Sequence, residues 1–251
     1  MGKWIALLLF AASHVANGAE VTIRADVWYP HNGTPGSATP GYMIEIAQAA
    51  FAAKGINVNY DAMPWERALT LTREGKIDCV VGASPDDAPD FVYPTEPQGR
   101  NQNVFYVRQG NAWRFSDMAS LANVKLGVIE GYAYADELDA YIEANKGTPK
   151  IQAVTGDTPL DQNIKKLLAR RVDVIVESAP VLQAKLKEMN LEGKLDAAGD
   201  AGEADDLFIA CSPKLPAAPE YARILTEGTQ TLRQSGELKK ILSKYGLSDW
   251  K

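Results

Sequence analysis

A strand-like segment that occurs twice limits the fold of this chain most strongly. The first copy, at 76–85, reads KIDCVVGASP, and the second, at 171–180, reads RVDVIVESAP. In each copy apolar residues follow one Asp, and small residues and Pro then interrupt the run, as at the carboxyl end of a buried parallel strand. The repeat predicts two similar α/β lobes whose strand ends face a shared cleft, where ligands of open α/β sheets bind.

Length and composition fit two small lobes and argue against nucleic acid as a partner. The chain has 251 residues, of which 46% are hydrophobic, so it can form a sizeable core. Its 26 Lys and Arg stand against 32 Asp and Glu, and the formal net charge is −6. An acidic chain without a basic cluster is poorly suited to binding a phosphate backbone.

The first 19 residues have the pattern of a secretion signal. Lys3 precedes the apolar run at 4–12, and the small residues Ala16, Gly18 and Ala19 follow. The apolar run is too short to span a bilayer, which needs about 20 residues. We therefore expect cleavage after Gly18 or Ala19, and a soluble periplasmic protein that has crossed the inner membrane and lost its signal peptide.

Strands and helices alternate as βαβαβ in each half of the chain, which predicts parallel sheets. A strand at 103–108 is expected to leave the first half, and a strand at 207–211 is expected to return to it. We accordingly predict one lobe from 20–105 together with 207–251, and a second lobe from 106–206. The two connections between the lobes would act as a hinge.

The two cysteines and the C-terminal helices carry further expectations. Cys79 and Cys211 both lie in apolar, strand-like runs. An oxidising compartment permits a disulfide between them, and the alternative is a pair of buried thiols that act as small hydrophobes. We favour the thiols, because the sequence does not show that the two residues are close. After Cys211 we expect helix, with breaks at Gly228 and Gly236.

The segment 232–246, LRQSGELKKILSKYG, resembles the closing helix pair of a known family. The tetrapeptides at 75–78 and 170–173, GKID and RRVD, are similar to its strand openings, and KLGV at 125–128 with Gly131 is similar to the strand that opens its second lobe. The family is the type II periplasmic solute-binding proteins of polar amino acid transporters, solute-binding family 3. The resemblance implies the α/β, two-lobed periplasmic-binding-protein fold (type II), in which each lobe is a mainly parallel sheet flanked by helices and two strands form the hinge.

The resemblance also implies a ligand between the lobes. Trp28 or Tyr29 would stack on it, and Trp65 would form a second wall. The backbone amides of 131–133, at a helix N-terminus, would bind a carboxylate, and Glu177 would pair with an ammonium group. The predicted ligand-binding residues are Tyr29, Trp65, Arg67, Gly82, Ala83, Ser84, Asp87, Gly131, Tyr132, Ala133 and Glu177.

One position departs from the family pattern. Amino-acid binders of the family place an Arg shortly after the repeated strand of the first lobe to clamp the α-carboxylate, and Asp87 lies at about that position here. Either another cation, such as Arg67 or Arg100, replaces that Arg, or the ligand is not an ordinary α-amino acid. The acidic residues Asp86, Asp87 and Glu177 fit a cationic or amine-bearing ligand at least as well.

Several of these residues suit a structural role equally well. Trp65 fits a core position as readily as a pocket wall. Tyr132 and Tyr134 alternate with Ala, so we expect at most one of them to face the cleft. The repeated Asp78 and Asp173 are expected to serve the fold.

The chemistry of the chain favours a binding protein over an enzyme. After signal removal His31 is the single histidine, and the sequence has no G-x-S-x-G motif, no His/Cys cluster and no glycine-rich nucleotide loop. We expect no cofactor, no metal and a monomer that captures a small polar, amino-acid-like or amine-bearing ligand for an inner-membrane ABC permease. The alternatives are a periplasmic dehydratase of the same fold and a soluble sensor partner that presents its ligand to a receptor.

Overall fold

The computed structural model describes residues 19–251, so all but the last residue of the signal segment expected at 1–19 lies outside the described residues. Within 19–251, no helix combines the length and the apolar character that crossing a membrane requires. The strands are β1 Glu20–Ala25, β2 Asn57–Ala62, β3 Cys79–Ala83, β4 Gly99–Asn101, β5 Asn103–Arg108, β6 Leu126–Ile129, β7 Ile151–Val154, β8 Val174–Ser178, β9 Leu195–Asp200 and β10 Asp205–Cys211. The helices are α1 Tyr42–Ala52, α2 Trp65–Arg73, α3 Asp136–Asn145, α4 Pro159–Leu168, α5 Ala179–Glu188, α6 Ala218–Ser235 and α7 Glu237–Lys244, with a 3-10 helix at Met118–Asn123.

These strands form two five-stranded sheets with the same topology. The first has the order β2-β1-β3-β10-β4, and the second has the order β7-β6-β8-β5-β9. In each sheet the three strands of the βαβαβ unit are parallel. A strand next to an inter-lobe connection, β10 in the first sheet and β5 in the second, pairs antiparallel with the third strand of that unit. The predicted fold class, two α/β lobes with flanking helices, is confirmed.

The repeated Asp residues perform equivalent structural tasks in the two lobes. The Asp78 carboxylate accepts hydrogen bonds from the backbone N–H and the hydroxyl of Thr22 in β1, at 2.7 and 2.6 Å. In the second lobe, the Asp173 carboxylate accepts one from the backbone N–H of Lys125, directly before β6, at 2.9 Å. Each Asp thus ties the approach to the third strand to the first strand of its own lobe, which confirms the expected structural role.

The preference for free thiols was wrong, because Cys79 and Cys211 form a disulfide. Strand β10 runs antiparallel to β3 and places the two cysteines opposite each other. The pairing joins residues 132 positions apart in the sequence. It therefore depends on the pairing and register of β10 with β3, which local sequence patterns do not specify.

The expected helix break at Gly228 is also wrong, since α6 continues through it. A Cβ atom added to Gly228 would lie 2.3 Å from the Cβ atom of Ala50 in α1. The glycine thus permits close packing of α1 against α6. The break expected at Gly236 is confirmed, because this residue has a left-handed φ of 79° between α6 and α7.

Two connections join the sheets. Strand β4 belongs to the first sheet and β5 to the second, with one residue, Gln102, between them. The return connection leads from β9 to β10 through residues 201–204. The lobe limits predicted at 105/106 and 206/207 fall inside β5 and β10, and the division at those limits stays a prediction.

Candidate functional site

A cavity of about 50 Å³ lies where the two lobes meet. Its walls come from the strand ends and loops of the first lobe, from the strand ends that flank both inter-lobe connections, and from the loop after β6 in the second lobe. The lining residues are Asp26, Trp28, Asn32, Trp65, Val81, Gly82, Ser84, Asp87, Asn101, Asn103, Tyr132, Ala133, Asp205 and Leu207.

Three aromatic side chains form much of the wall. The Tyr132 ring is oriented edge-on to both Trp28 and Trp65, at centroid distances of 6.4 and 6.5 Å. Trp28 follows β1, Trp65 begins α2, and Tyr132 follows β6. The aromatic wall therefore combines residues from both lobes, with edge-to-face geometry that such rings favour.

Hydrogen bonds from aromatic side chains also cross between the lobes. The Trp28 indole N–H donates to Glu177 Oε1 at 2.8 Å, and the Tyr132 hydroxyl donates to Asp26 Oδ2 at 2.5 Å. Glu177 is on β8 in the second lobe, and Asp26 follows β1 in the first. Each lobe thus supplies one aromatic donor to a buried acid of the other, and such charge-assisted bonds are among the stronger ones in proteins.

His31 forms a further buried contact between the lobes. Its Nε2 lies 3.3 Å from the Ser178 hydroxyl of the second lobe, and its Nδ1 lies 2.7 Å from the Tyr42 hydroxyl of the first. Its ring stacks on Trp28 with centroids 4.2 Å apart. Burial lowers the pKa of His31 to about 3, so the ring is neutral at physiological pH.

Asp87 turns its carboxylate toward the cavity and toward the second lobe. Its Oδ2 accepts from the backbone N–H and the hydroxyl of Ser84, at 2.7 and 2.9 Å. Its Oδ1 accepts from the backbone N–H of Ala133 at 3.3 Å. The residue at the expected Arg position is therefore built into the site as a hydrogen-bond acceptor.

The acids of the site are shifted toward their neutral forms. Burial raises the pKa of Asp26 and of Asp87 to about 6, and that of Glu177 to about 7. Hydrogen bonds from Tyr132 to Asp26 and from Trp28 to Glu177 oppose the rise only in part. No lysine or arginine of the described chain lines the cavity. The site can therefore stabilise positive charge and donor groups, and within residues 19–251 no cluster of His, Cys, Asp and Glu is arranged to hold a metal ion.

The structure brings most of the predicted site residues together. Six of them line the cavity, and Glu177 is one hydrogen bond away, on Trp28. Tyr134 donates its backbone N–H to Asp139 and packs in the core of the second lobe, so only Tyr132 of that pair faces the cavity, as expected. The six lining residues are Trp65, Gly82, Ser84, Asp87, Tyr132 and Ala133.

Four predicted site residues lie away from the cavity lining. The Tyr29 ring packs against Tyr245, with centroids 5.7 Å apart, so Trp28 is the wall residue of that pair. Ala83 is fully buried within β3, and Arg67 is exposed on α2. The side chain of Glu66 lies across Gly131, where an added Cβ would be only 1.6 Å from its Oε1.

Asp26, Asn32, Asn101, Asn103 and Asp205 also line the cavity but were not predicted. Asp26 directly follows β1, so its position at a strand end was a usable signal. Asn32 lies in a loop, and the other three lie at the strand ends that flank the inter-lobe connections, where polar residues are expected for many reasons. Only the tertiary arrangement shows that they converge.

The chain matches a known protein family by sequence. The sequence model of the bacterial extracellular solute-binding proteins, family 3, matches residues 25–248. The comparison with curated protein sequences found no match.

Solved structures resemble this chain over almost its whole length. An ancestral arginine-binding protein bound to arginine is 18% identical, with a TM-score of 0.73 over 90% of this chain and 98% of the other. A structure reported for glutathione import through a cystine importer of Streptococcus mutans is 17% identical, with a TM-score of 0.76 over 92% and 96%. A histidine kinase sensor domain similar to periplasmic binding proteins is 18% identical, with a TM-score of 0.74 over 90% and 95%. At sequence identities of 17% and 18%, the similarity between this chain and these structures shows a shared fold only.

Proposed function

We propose a function from one premise: the chain belongs to the bacterial extracellular solute-binding proteins, family 3. We infer that it captures a small polar, amino-acid-like or amine-bearing solute and passes it to an ABC-type permease of the inner membrane. The observation that carries this proposal is the cavity lined from both lobes by Trp28, Trp65 and Tyr132. Sites at the carboxyl ends of open α/β sheets are where such folds bind ligands.

The proposed mechanism is capture by closure of the lobes. The two short connections between the sheets would act as the hinge, and Gln102 of one connection donates its side-chain N–H to the Gly202 carbonyl of the other at 2.8 Å. A solute that contacts both lobes binds the closed form better than the open form, so it shifts the population toward closure. The permease would then recognise the closed form.

The proposed contacts follow from the cavity. Trp28 and Trp65 would pack on the apolar part of the solute. Ser84 and Asp87, which line the cavity, and Glu177, which is hydrogen-bonded to Trp28, would bind its polar groups. We further propose that the protein acts as a monomer in the periplasm after removal of its signal peptide. The family description, which names extracellular proteins, supports this location.

A thermal-shift screen of residues 20–251 against amino acids, polyamines and small organic acids tests the proposal. We expect one solute class to raise Tm, because a ligand at about 100 times its Kd stabilises the folded form by about 2.7 kcal/mol. Mass spectrometry should recover that solute unchanged. Consumption of a prephenate-like acid would instead indicate the dehydratase.

Variants locate the binding site. Replacing both Trp65→Ala and Glu177→Ala should abolish the thermal stabilisation by the solute. The control is Trp113→Ala, which removes an indole that packs on Phe105 in the second lobe, outside the cavity. Unaltered affinity in the double variant would show that the solute binds elsewhere.

A sensory role is the second candidate, and the similarity to a histidine kinase sensor domain favours keeping it. A sensor partner would bind the solute equally well without delivering it to a transporter. Uptake of the radiolabelled solute by cells, with and without the gene, separates the two roles. Loss of uptake supports transport, and unchanged uptake supports sensing.

A further inference from the structure

We propose that the solute is a small organic cation with amine or guanidine N–H donors and no free carboxylate. The inference rests on the proposed solute-binding function and specifies its ligand. It follows from four features of the cavity: its charges, the occupancy of the nearby backbone amides, its unpaired acceptors and its aromatic wall.

The charges that line the cavity have one sign. Asp26, Asp87 and Asp205 line it, and no lysine or arginine of residues 19–251 does so. A carboxylate that is taken out of water needs a cation or several hydrogen-bond donors to offset the loss of hydration. Next to three acids it would meet repulsion, whereas an ammonium or guanidinium group would meet three favourable partners.

Three of the backbone amides that precede α3, those of 132–134, are already used by the chain itself. Ala133 N–H donates to Asp87 Oδ1 at 3.3 Å, and Tyr134 N–H donates to the two carboxylate oxygens of Asp139 at 3.2 and 3.1 Å. Tyr132 N–H donates to the Ile129 carbonyl at 3.3 Å. Amides at a helix N-terminus are a ready anion site when they are available. At 132–134 side-chain and carbonyl oxygens of this protein already accept these hydrogen bonds.

Asn32 supplies the first unpaired acceptor. Its NH₂ group donates to the Asp26 carbonyl at 2.6 Å and to the Tyr60 hydroxyl at 3.1 Å, while that hydroxyl donates to the Gly33 carbonyl. Both partners must be bound by the NH₂ group, so the orientation of the Asn32 side-chain amide is fixed and its Oδ1 points to the opposite side. Asn32 is fully buried and lines the cavity, and its Oδ1 has no hydrogen-bond partner within residues 19–251.

Asn101 supplies the second unpaired acceptor by the same reasoning. Asn103 donates its NH₂ group to the Tyr134 carbonyl at 3.0 Å, so its Oδ1 must accept. Asn101 donates its own NH₂ group to that Oδ1 at 3.0 Å, which leaves Asn101 Oδ1 without a partner in the described chain. Asn101 is 6% exposed and lines the cavity.

The other unpaired polar atoms around the cavity refine the ligand. Glu177 does not line the cavity but is hydrogen-bonded to Trp28, and its Oε2 is a third buried acceptor without a partner among the described residues. The Trp65 indole N–H is a buried donor that also has no partner among the described residues. Buried polar groups are rarely left unpaired, since each costs about 1–3 kcal/mol. A solute with several N–H donors and a single acceptor, such as a hydroxyl or carbonyl oxygen, would complement this set.

The aromatic wall suits the same charge. Cations bind favourably over the faces of Trp and Tyr, and recognition of ammonium groups by aromatic cages is a general use of this interaction. Trp28, Trp65 and Tyr132 line a cavity that acids also line. Aromatic faces and carboxylates favour a cation together, while neither favours an anion.

Pairs of compounds that differ by one carboxyl group test the inference. Isothermal titration of residues 20–251 at about pH 7.5 would compare arginine with agmatine, lysine with cadaverine and ornithine with putrescine. We expect at least one decarboxylated compound to bind about tenfold or more tightly than its amino acid. If the amino acids bind as tightly or better, the inference is overturned while the solute-binding function stands. If none of the six binds, the inference is also overturned, and the wider screen then decides the function.

Neutral variants test the role of the acids. Asp87→Asn should weaken binding of the preferred amine about tenfold, and Asp205→Asn, at an exposed position where folding is little affected, about threefold. Asp86→Asn and Asp206→Asn are the controls, because each removes the same charge from an exposed neighbour that does not line the cavity. Affinity unchanged in both test variants, or lowered equally in tests and controls, would overturn the proposed contacts.

Discussion

Glu177 shows how the fold perturbs a single acid. Its Oε1 accepts from the Trp28 indole and from the Ser178 backbone N–H, both at 2.8 Å, while its Oε2 has no partner among the described residues. Because two hydrogen bonds offset only part of the loss of hydration, the pKa of this carboxyl rises from 4.5 to about 7. Ionised Glu177 therefore destabilises the protein when no cation is bound.

This shift predicts how stability depends on pH. The folded form binds the Glu177 proton more tightly than the unfolded form, so the stabilising contribution is complete below pH 4.5 and is lost as pH rises through about 7. Its size is roughly 3 kcal/mol. In Glu177→Gln, Tm should fall less between about pH 5 and pH 8 than in the wild type. The control is Glu192→Gln at an exposed position, and parallel curves for Glu177→Gln and wild type would contradict the prediction.

At the scale of elements, the contact of α1 with α6 depends on Gly228. A Cβ atom there would lie 2.3 Å from the Ala50 Cβ and 2.9 Å from its Cα. Gly228→Ala gains up to about 1 kcal/mol of helix propensity but overpacks the interface, which costs about 1–3 kcal/mol. Because one of the clashing atoms belongs to the backbone, we expect the cost of overpacking to exceed the gain in helix propensity.

Thermal denaturation of Gly228→Ala should thus give a lower Tm than that of the wild type. In a protein that already carries Ala50→Gly, the same Gly228→Ala substitution should lower Tm by less than it does in the wild type. Ala50→Gly removes the Cβ atom that makes the closer of the two contacts. A Gly228→Ala variant as stable as the wild type would show that the helices separate at little cost.

The same scale shows what the sequence could predict. The buried strands β3 and β8 were predicted because each has a continuous apolar run after an Asp. Strand β9, LDAAGD, lacks such a run and was not predicted, because it is ordered by antiparallel pairing with β5. In the candidate site, Ser84 and Asp87 were predicted from the family resemblance, which places ligand contacts just after the repeated strand, whereas Asn32 and Asn101 acquire their positions only from tertiary structure.

At the scale of the whole molecule, the disulfide lies within one lobe. Cys79 and Cys211 join β3 to β10 in the first sheet, and the second sheet has no cysteine. A cross-link that closes a loop of this length stabilises a protein by about 4–5 kcal/mol in the chain-entropy description. Its loss should therefore act on the two lobes unequally.

Hydrogen exchange of a Cys79→Ala, Cys211→Ala variant tests this. The amides of β1, β3 and β10 should exchange faster than in the wild type, while those of β6 and β8 should be nearly unchanged. Reducing agent, which leaves the variant unaffected, should reproduce the pattern in the wild type. Equal acceleration in both sheets would mean that the lobes unfold as one cooperative unit.

The shortness of the β4–β5 connection limits how the halves can move. Only Gln102 separates the two strands, and the other connection has four residues, 201–204. Neither is long enough to let one half slide past the other. Any opening must be a rotation of one lobe relative to the other about the line that joins the two connections. The width of the cleft therefore depends on the angle of this rotation, which a few backbone torsions set.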